Sequence, residues 1–209
     1  MNGIYKLIRA NVGVSAMALP VLAICFGLLG DNQPHWYYSI SATFYANSGP
    51  VMVGTLFSAA VFLICYGIIN PYKYWLDRLT ALTAGIAFIL IACFPCGDTE
   101  LERVGLLYLP VKVSAVIHNI VAVLGFISLA VMVAFCFTKT AETTKAKVRR
   151  NRVYRICAFI MVGVMILFAL GAFTGLNGRG PFILVYETLL LWATGIAWFT
   201  KAGLLFKDE

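Results

Sequence analysis

Charge is scarce in this chain: nine Asp and Glu and sixteen Lys and Arg amount to 12% of 209 residues. A soluble domain carries about a quarter of its residues charged, so the shortage excludes an ordinary water-soluble fold. Histidine occurs only at His35 and His118, which leaves no His-x-x-x-His and no His-Glu-x-x-His zinc signature. Low-complexity stretches are missing too, and no charged tail is long enough to be a domain. What fills the chain is apolar length, with 61% hydrophobic residues and a mean hydropathy of +0.88.

The apolar residues form continuous runs at Val12 to Leu29, Val51 to Ile69, Leu79 to Phe94, Val113 to Phe137, Ile156 to Gly175 and Phe182 to Thr200. Each approaches the ~20 residues that span a bilayer core as a helix. Barrel strands would be short and alternating, so these runs predict an all-α fold. The expectation is a polytopic membrane protein, a six-transmembrane-helix bundle occupying residues 1–209 as one domain. Lys6 and Arg9 resemble a signal-peptide basic region, but the following stretch is long and lacks a small-x-small cleavage site, so it reads as a retained signal-anchor.

The placement of cations predicts orientation. Thirteen of the sixteen Lys and Arg flank the spans on the side of the termini, and only Arg103, Lys112 and Arg179 lie on the other. By the positive-inside rule both termini are expected to be cytoplasmic. Lys139, Lys145, Lys147, Arg149, Arg150, Arg152 and Arg155 crowd the fourth connection. Such a run could contact nucleic acid, but anchoring beside anionic headgroups accounts for it, and no nucleic-acid partner is expected. Trp75, Tyr72 and Trp198 read as an inner aromatic belt.

Within the predicted spans one carboxylate stands alone, Glu187, and one histidine, His118. An ionisable side chain in hydrocarbon is costly enough to face a bundle interior or a wet cavity. Both fall about five residues inside the outer boundary, roughly 8 Å down at ~1.5 Å per residue. The shared depth predicts an outward-facing polar pocket. A plainer reading bonds His118 to Asn119, a serine or a backbone carbonyl and makes Glu187 a protonated interhelical clamp.

Asp31, His35, Asp98 and Arg179 fall on the same side. The first outer loop, residues 30–50, carries Trp36, Tyr37, Tyr38, Phe44 and Tyr45 and no Lys or Arg. It reads as an aromatic belt or as a lid over the bundle mouth. Ser39, Ser41, Thr43 and Tyr45 alternate and would present hydroxyls on one face if the segment is extended. Ligand-binding candidates are therefore His118, Glu187, His35, Asp98, Arg179, Ser41 and Tyr45. A zinc site would draw on His35, His118, Asp98 and Glu187, the right residue types for three ligands and an activated water, though without a supporting spacing.

Cys93-Phe94-Pro95-Cys96 is a C-x-x-C, but the other cysteines, Cys25, Cys65, Cys136 and Cys157, fall in or at the ends of spans. A quinone-linked disulfide-forming enzyme would need a second, mobile pair in an outer loop, so buried thiols or a local disulfide is the ordinary reading. Gly171 and Gly175 form a G-x-x-x-G, and Gly54 with Ser58 repeats the small-x-x-x-small spacing, which predicts close helix packing or a homo-oligomer face. Three spans plus three have the parity of an inverted repeat, yet the halves do not align.

The segments Tyr38-Ser-Ile-Ser-Ala-Thr-Phe-Tyr45, Val53-Gly-Thr-Leu-Phe57, Phe94-Pro95, His118, Arg150-Asn-Arg-Val-Tyr-Arg155 and Leu191-Trp-Ala-Thr-Gly-Ile-Ala-Trp198 carry a resemblance over most of the chain. They resemble uncharacterised bacterial six-helix integral membrane proteins of a domain-of-unknown-function group, distantly similar to the DRAM-like (damage-regulated autophagy modulator) membrane proteins. That resemblance implies the six-helix fold and draws attention to His118 and Glu187; it implies no activity. The leading expectation is binding of a lipid headgroup or small polar ligand in the outer pocket. A metal-dependent lipid hydrolase and a ligand-free scaffold or assembly protein stand as alternatives.

Overall fold

The structure is a computed structural model that describes residues 3–29, 38–69, 74–97, 99–139, 144–179 and 181–206, without the side chains of 178 and 179. Among the described residues six helices are long and apolar enough to cross a membrane: α1 (Gly3–Leu28), α2 (Gly49–Ile69), α3 (Trp75–Cys93), α4 (Val111–Val131, continued as a π-helical turn through Cys136), α5 (Lys145–Thr174) and α6 (Phe182–Lys201). The protein is thus a multi-pass membrane protein by fold, and six crossings return both termini to one side. We call that the terminal end. The opposite, cap end carries residues 38–48, the segment from Phe94 to Pro110 and the turn Leu176–Arg179.

Each apolar run became one helix because, without water, a backbone satisfies its polar groups only within the segment. Most helices begin before the apolar run and absorb flanking polar residues. The basic stretch Lys145 to Arg155 is not a loop but the first turns of α5, capped by Thr144, whose hydroxyl accepts the Lys147 N–H at 3.2 Å. Gly175 ends that helix at φ 70, a left-handed conformation that glycine adopts without steric cost. Pro20 lies inside α1 without ending it.

The helices pack α3–α2–α1–α6–α5 in series, and α4 closes the group against α3. The α5 helix is the most peripheral, with 28% of its apolar window buried against 50% for α3. The close approaches are made by glycines outside the predicted motifs. A Cβ on Gly13 would stand 3.3 Å from Gly195 O, and one on Gly195 3.2 Å from Gly13 O, so α1 and α6 cross backbone to backbone. Gly85 faces Ala60 O and Ile64 across α2–α3, and Gly125 faces Ala87 across α3–α4.

Three expectations are corrected here. Gly54 is exposed, with nothing within 4 Å of an added Cβ, and Gly175 terminates its helix, so neither small-residue motif joins two helices within the chain. Gly171 instead admits Asn177, whose amide donates to Phe168 O at 3.0 Å. Trp198 is no belt residue: it is fully buried, its ring 4.9 Å from Tyr66 and 5.1 Å from Phe137. Trp75, by contrast, is exposed.

A polar centre at the terminal end escaped the sequence reading. Asp77, in the first turn of α3, is buried, so Glu187 is not the only carboxylate drawn into the bundle. Arg9 is buried with its guanidinium 4.0 Å from the Tyr5 ring, which stacks on Tyr66 at 5.3 Å. Arg9 also donates to Lys201 O at 3.2 Å, and the buried Lys147 ammonium donates to Phe137 O at 3.3 Å. Each cation meets carbonyls that a helix end leaves unpaired, where the helix dipole is negative.

Candidate functional site

At the cap end the structure places the two singled-out side chains against different non-helical segments. Glu187 lies in the second turn of α6 and meets the residues entering α2. Its Oε2 accepts the backbone N–H of Ile40 at 2.5 Å and of Ser41 at 3.4 Å, and its Oε1 accepts the Ser41 hydroxyl at 2.8 Å. Hydrogen bonds to a charged acceptor contribute about 1.5–3 kcal/mol each where water is excluded, so this carboxylate fixes the loop to α6. It occupies the N-terminal end of a single 3-10 turn, Ser41–Tyr45, where unpaired N–H groups favour an anion.

The helical turn overturns one expectation. Residues 39–45 are not extended, so their hydroxyls do not share a face: Ser39 Oγ accepts Ala42 N–H, Thr43 donates to Ile40 O at 2.5 Å, and Ser41 alone reaches Glu187. Tyr45 closes the other end of the turn, donating its phenol to Cys96 O at 2.6 Å. The segment is a cap packed on the bundle, with Ala42 and Thr43 buried.

His118, 3% exposed on α4, donates from Nδ1 to Phe94 O at 2.8 Å. Ser114, one turn earlier on the same face, donates to Pro95 O at 2.8 Å. Three successive carbonyls, of Phe94, Pro95 and Cys96, therefore take a proton donor from His118, Ser114 and Tyr45. These carbonyls follow the last turn of α3, where Pro95 has no N–H to continue the helix. The carbonyl reading of His118 describes this bond. Ser114 went unnoticed in the sequence, although its spacing of four from His118 was the available signal.

His118 and Glu187 are thus linked through the cap. A connected path runs from Glu187 to Ser41, along the turn to Tyr45, across to Cys96, and through the 94–96 corner to Ser114 and His118. Beside Glu187 and Ser41 is a cavity with about 40 Å³ of room for the centres of water-sized atoms, walled by Leu19, Met52, Leu56, Phe88, Phe126 and Leu191 among others. One water needs about 10–15 Å³ on that measure, so the space takes a few waters.

The remaining candidates are not brought to this point by the described residues. Asp31, His35, Trp36, Tyr37 and Asp98 lie outside them, and Arg179 is described only as the last residue of the turn Leu176–Arg179. Two of the four expected zinc ligands, His35 and Asp98, are therefore outside, and among the described residues no three of His, Cys, Asp and Glu converge to hold a metal ion. Cys93 and Cys96 are not joined by a disulfide. Comparison with known proteins gives no match to a family model, to a curated protein or to a solved structure.

Proposed function

We propose that this membrane protein binds an amphiphile at its cap end, a lipid headgroup or small polar ligand with a hydrogen-donating group held by Glu187. The observation that carries the reading is the composition of the cavity: the Glu187 carboxylate and the Ser41 hydroxyl are its polar end, and its walls are apolar. A carboxylate accepts from hydroxyl or ammonium donors, and the walls suit a hydrocarbon chain. In the closed form Ile40 and Ser41 occupy the carboxylate in the ligand's place, so binding requires the turn Ser41–Tyr45 to lift. His118 and Ser114 hold the corner on which Tyr45 rests, and Arg179 is the expected contact for an anionic part of the ligand. Membership of the six-helix group that the sequence resembles is part of the same proposal.

Native mass spectrometry of protein extracted with its own lipids tests this. A stoichiometric adduct on the parent chain that Glu187→Gln loses and Gly54→Ala keeps supports it; a bare parent chain sinks it. The small cavity and the already occupied carboxylate favour a second reading, a ligand-free scaffold or assembly protein, for which no adduct appears under any extraction.

A further inference from the structure

We propose that the hairpin between α3 and α4 is a membrane anchor, its Leu106-Leu107-Tyr108 tip inserted into the interfacial layer of the bilayer around the bundle. The tip is a run of three consecutive exposed apolar side chains at the cap end, with Leu106 at 76%, Leu107 at 63% and Tyr108 at 67%. Three consecutive large apolar side chains in water are unfavourable in a folded protein, and such a patch marks a contact surface.

The hairpin is held in place rather than free to fold its tip inward. Strands β1 (Arg103–Val104) and β2 (Leu109–Pro110) pair antiparallel, with Arg103 opposite Pro110. Leu106 N–H donates to Cys93 O at 3.0 Å, Tyr108 N–H to Gly105 O at 3.1 Å, and Val111 N–H to Glu102 O at 3.0 Å. Gly105, at φ 75, seats the loop against the end of α3: a Cβ there would lie 2.6 Å from Cys93 O. Tyr108 is held at φ 49, a conformation that is costly for a tyrosine and persists only where neighbouring contacts fix it.

Geometry and chemistry both select lipid as the occupant. Two-residue strands at ~3.4 Å per residue keep the tip within roughly 10 Å of the start of α4. That helix follows directly at Val111 and exposes Val113, Val116 and Ile120, so the tip continues the lipid-facing surface of α4. Arg103 lays its guanidinium 5.8 Å from the Tyr108 ring centre and donates to Tyr108 O at 3.2 Å, with Lys112 close by in sequence. A cation beside a tyrosine above leucines fits phosphate over acyl chains. Glu100 and Glu102 belong to the base of the hairpin, before β1, where Glu102 O takes the Val111 N–H.

The test is tryptophan fluorescence of the full chain carrying Leu107→Trp, reconstituted in phosphatidylcholine vesicles and read as excess emission over the parent chain with its four tryptophans. Lipids brominated just below the headgroup should remove roughly half of the excess emission, and aqueous iodide little of it. Quenching by iodide with no response to bromine places the tip in water and overturns the proposal. Shielding from both quenchers means that protein covers the tip and overturns it equally. Leu106→Trp, read the same way, guards against a local perturbation at one position.

Discussion

Single side chains at the cap end act on backbone groups that would otherwise be unpaired. Glu187 meets the N–H groups at the start of a 3-10 turn, and His118 a carbonyl at the end of α3. Removal of either leaves its backbone partners without their acceptor or donor. Glu187→Ala should therefore cost about 2–4 kcal/mol, and Glu187→Gln less, because the amide oxygen still accepts one N–H while its NH2 group opposes the other. Thermal unfolding in detergent, with limited proteolysis at residues 38–48, reads both; equal cleavage of parent and Glu187→Ala chains would refute the latch. His118→Ala should cost about 1–3 kcal/mol by leaving Phe94 O unsatisfied, and combining it with Ser114→Ala should be less than additive, since both hold one corner. A double-mutant cycle on unfolding midpoints checks the coupling.

At the scale of elements, glycine separates tight crossings from open ones. On Gly85 a Cβ would meet Ile64 at 2.7 Å and Ala60 O at 3.0 Å, whereas on Gly54 it would meet nothing within 4 Å. Gly85→Val should destabilise the α2–α3 pair by about 1–3 kcal/mol. Gly54→Ala should be neutral or slightly stabilising, because alanine favours a helix by up to ~1 kcal/mol over glycine. Fluorescence size-exclusion chromatography after stepwise heating compares the two; a larger loss from Gly54→Ala would restore that motif as a contact. Spacing alone does not place these contacts within the chain, since a small-x-x-x-small pattern records which residues could face a neighbour, not which neighbour is there.

At the scale of the molecule, six crossings put the termini on one side, and the cation distribution predicts that this side is the cytoplasm. Fusions at both ends should agree: a fluorescent protein that matures only in the cytoplasm should be bright at either terminus, and a reporter active only outside should be silent. A split result would refute an even number of spans. The same end holds the buried Arg9, Asp77 and Lys147, so orientation charges and packing charges overlap there. Their double use is invisible in a charge count, which treats every cation near a span as solvated.

The amino-acid sequence by itself determined the class, the number of spans, their approximate bounds and the expected orientation. It could do so because hydrocarbon imposes one rule on every residue in a span: satisfy the backbone locally and keep charge out. It also identified Glu187, His118, Ser41 and Tyr45, since polar groups in or beside apolar runs are exceptions to that rule. Tertiary structure alone decided what those groups touch. It coiled residues 41–45 into a cap instead of an extended face and set Glu187 on its N–H groups and His118 on the Phe94 carbonyl. It also drew Trp198 and Asp77 inward. Those outcomes depend on contacts between residues as far apart as Ser41 and Glu187, and no local pattern in a chain encodes which distant helix will pack beside it.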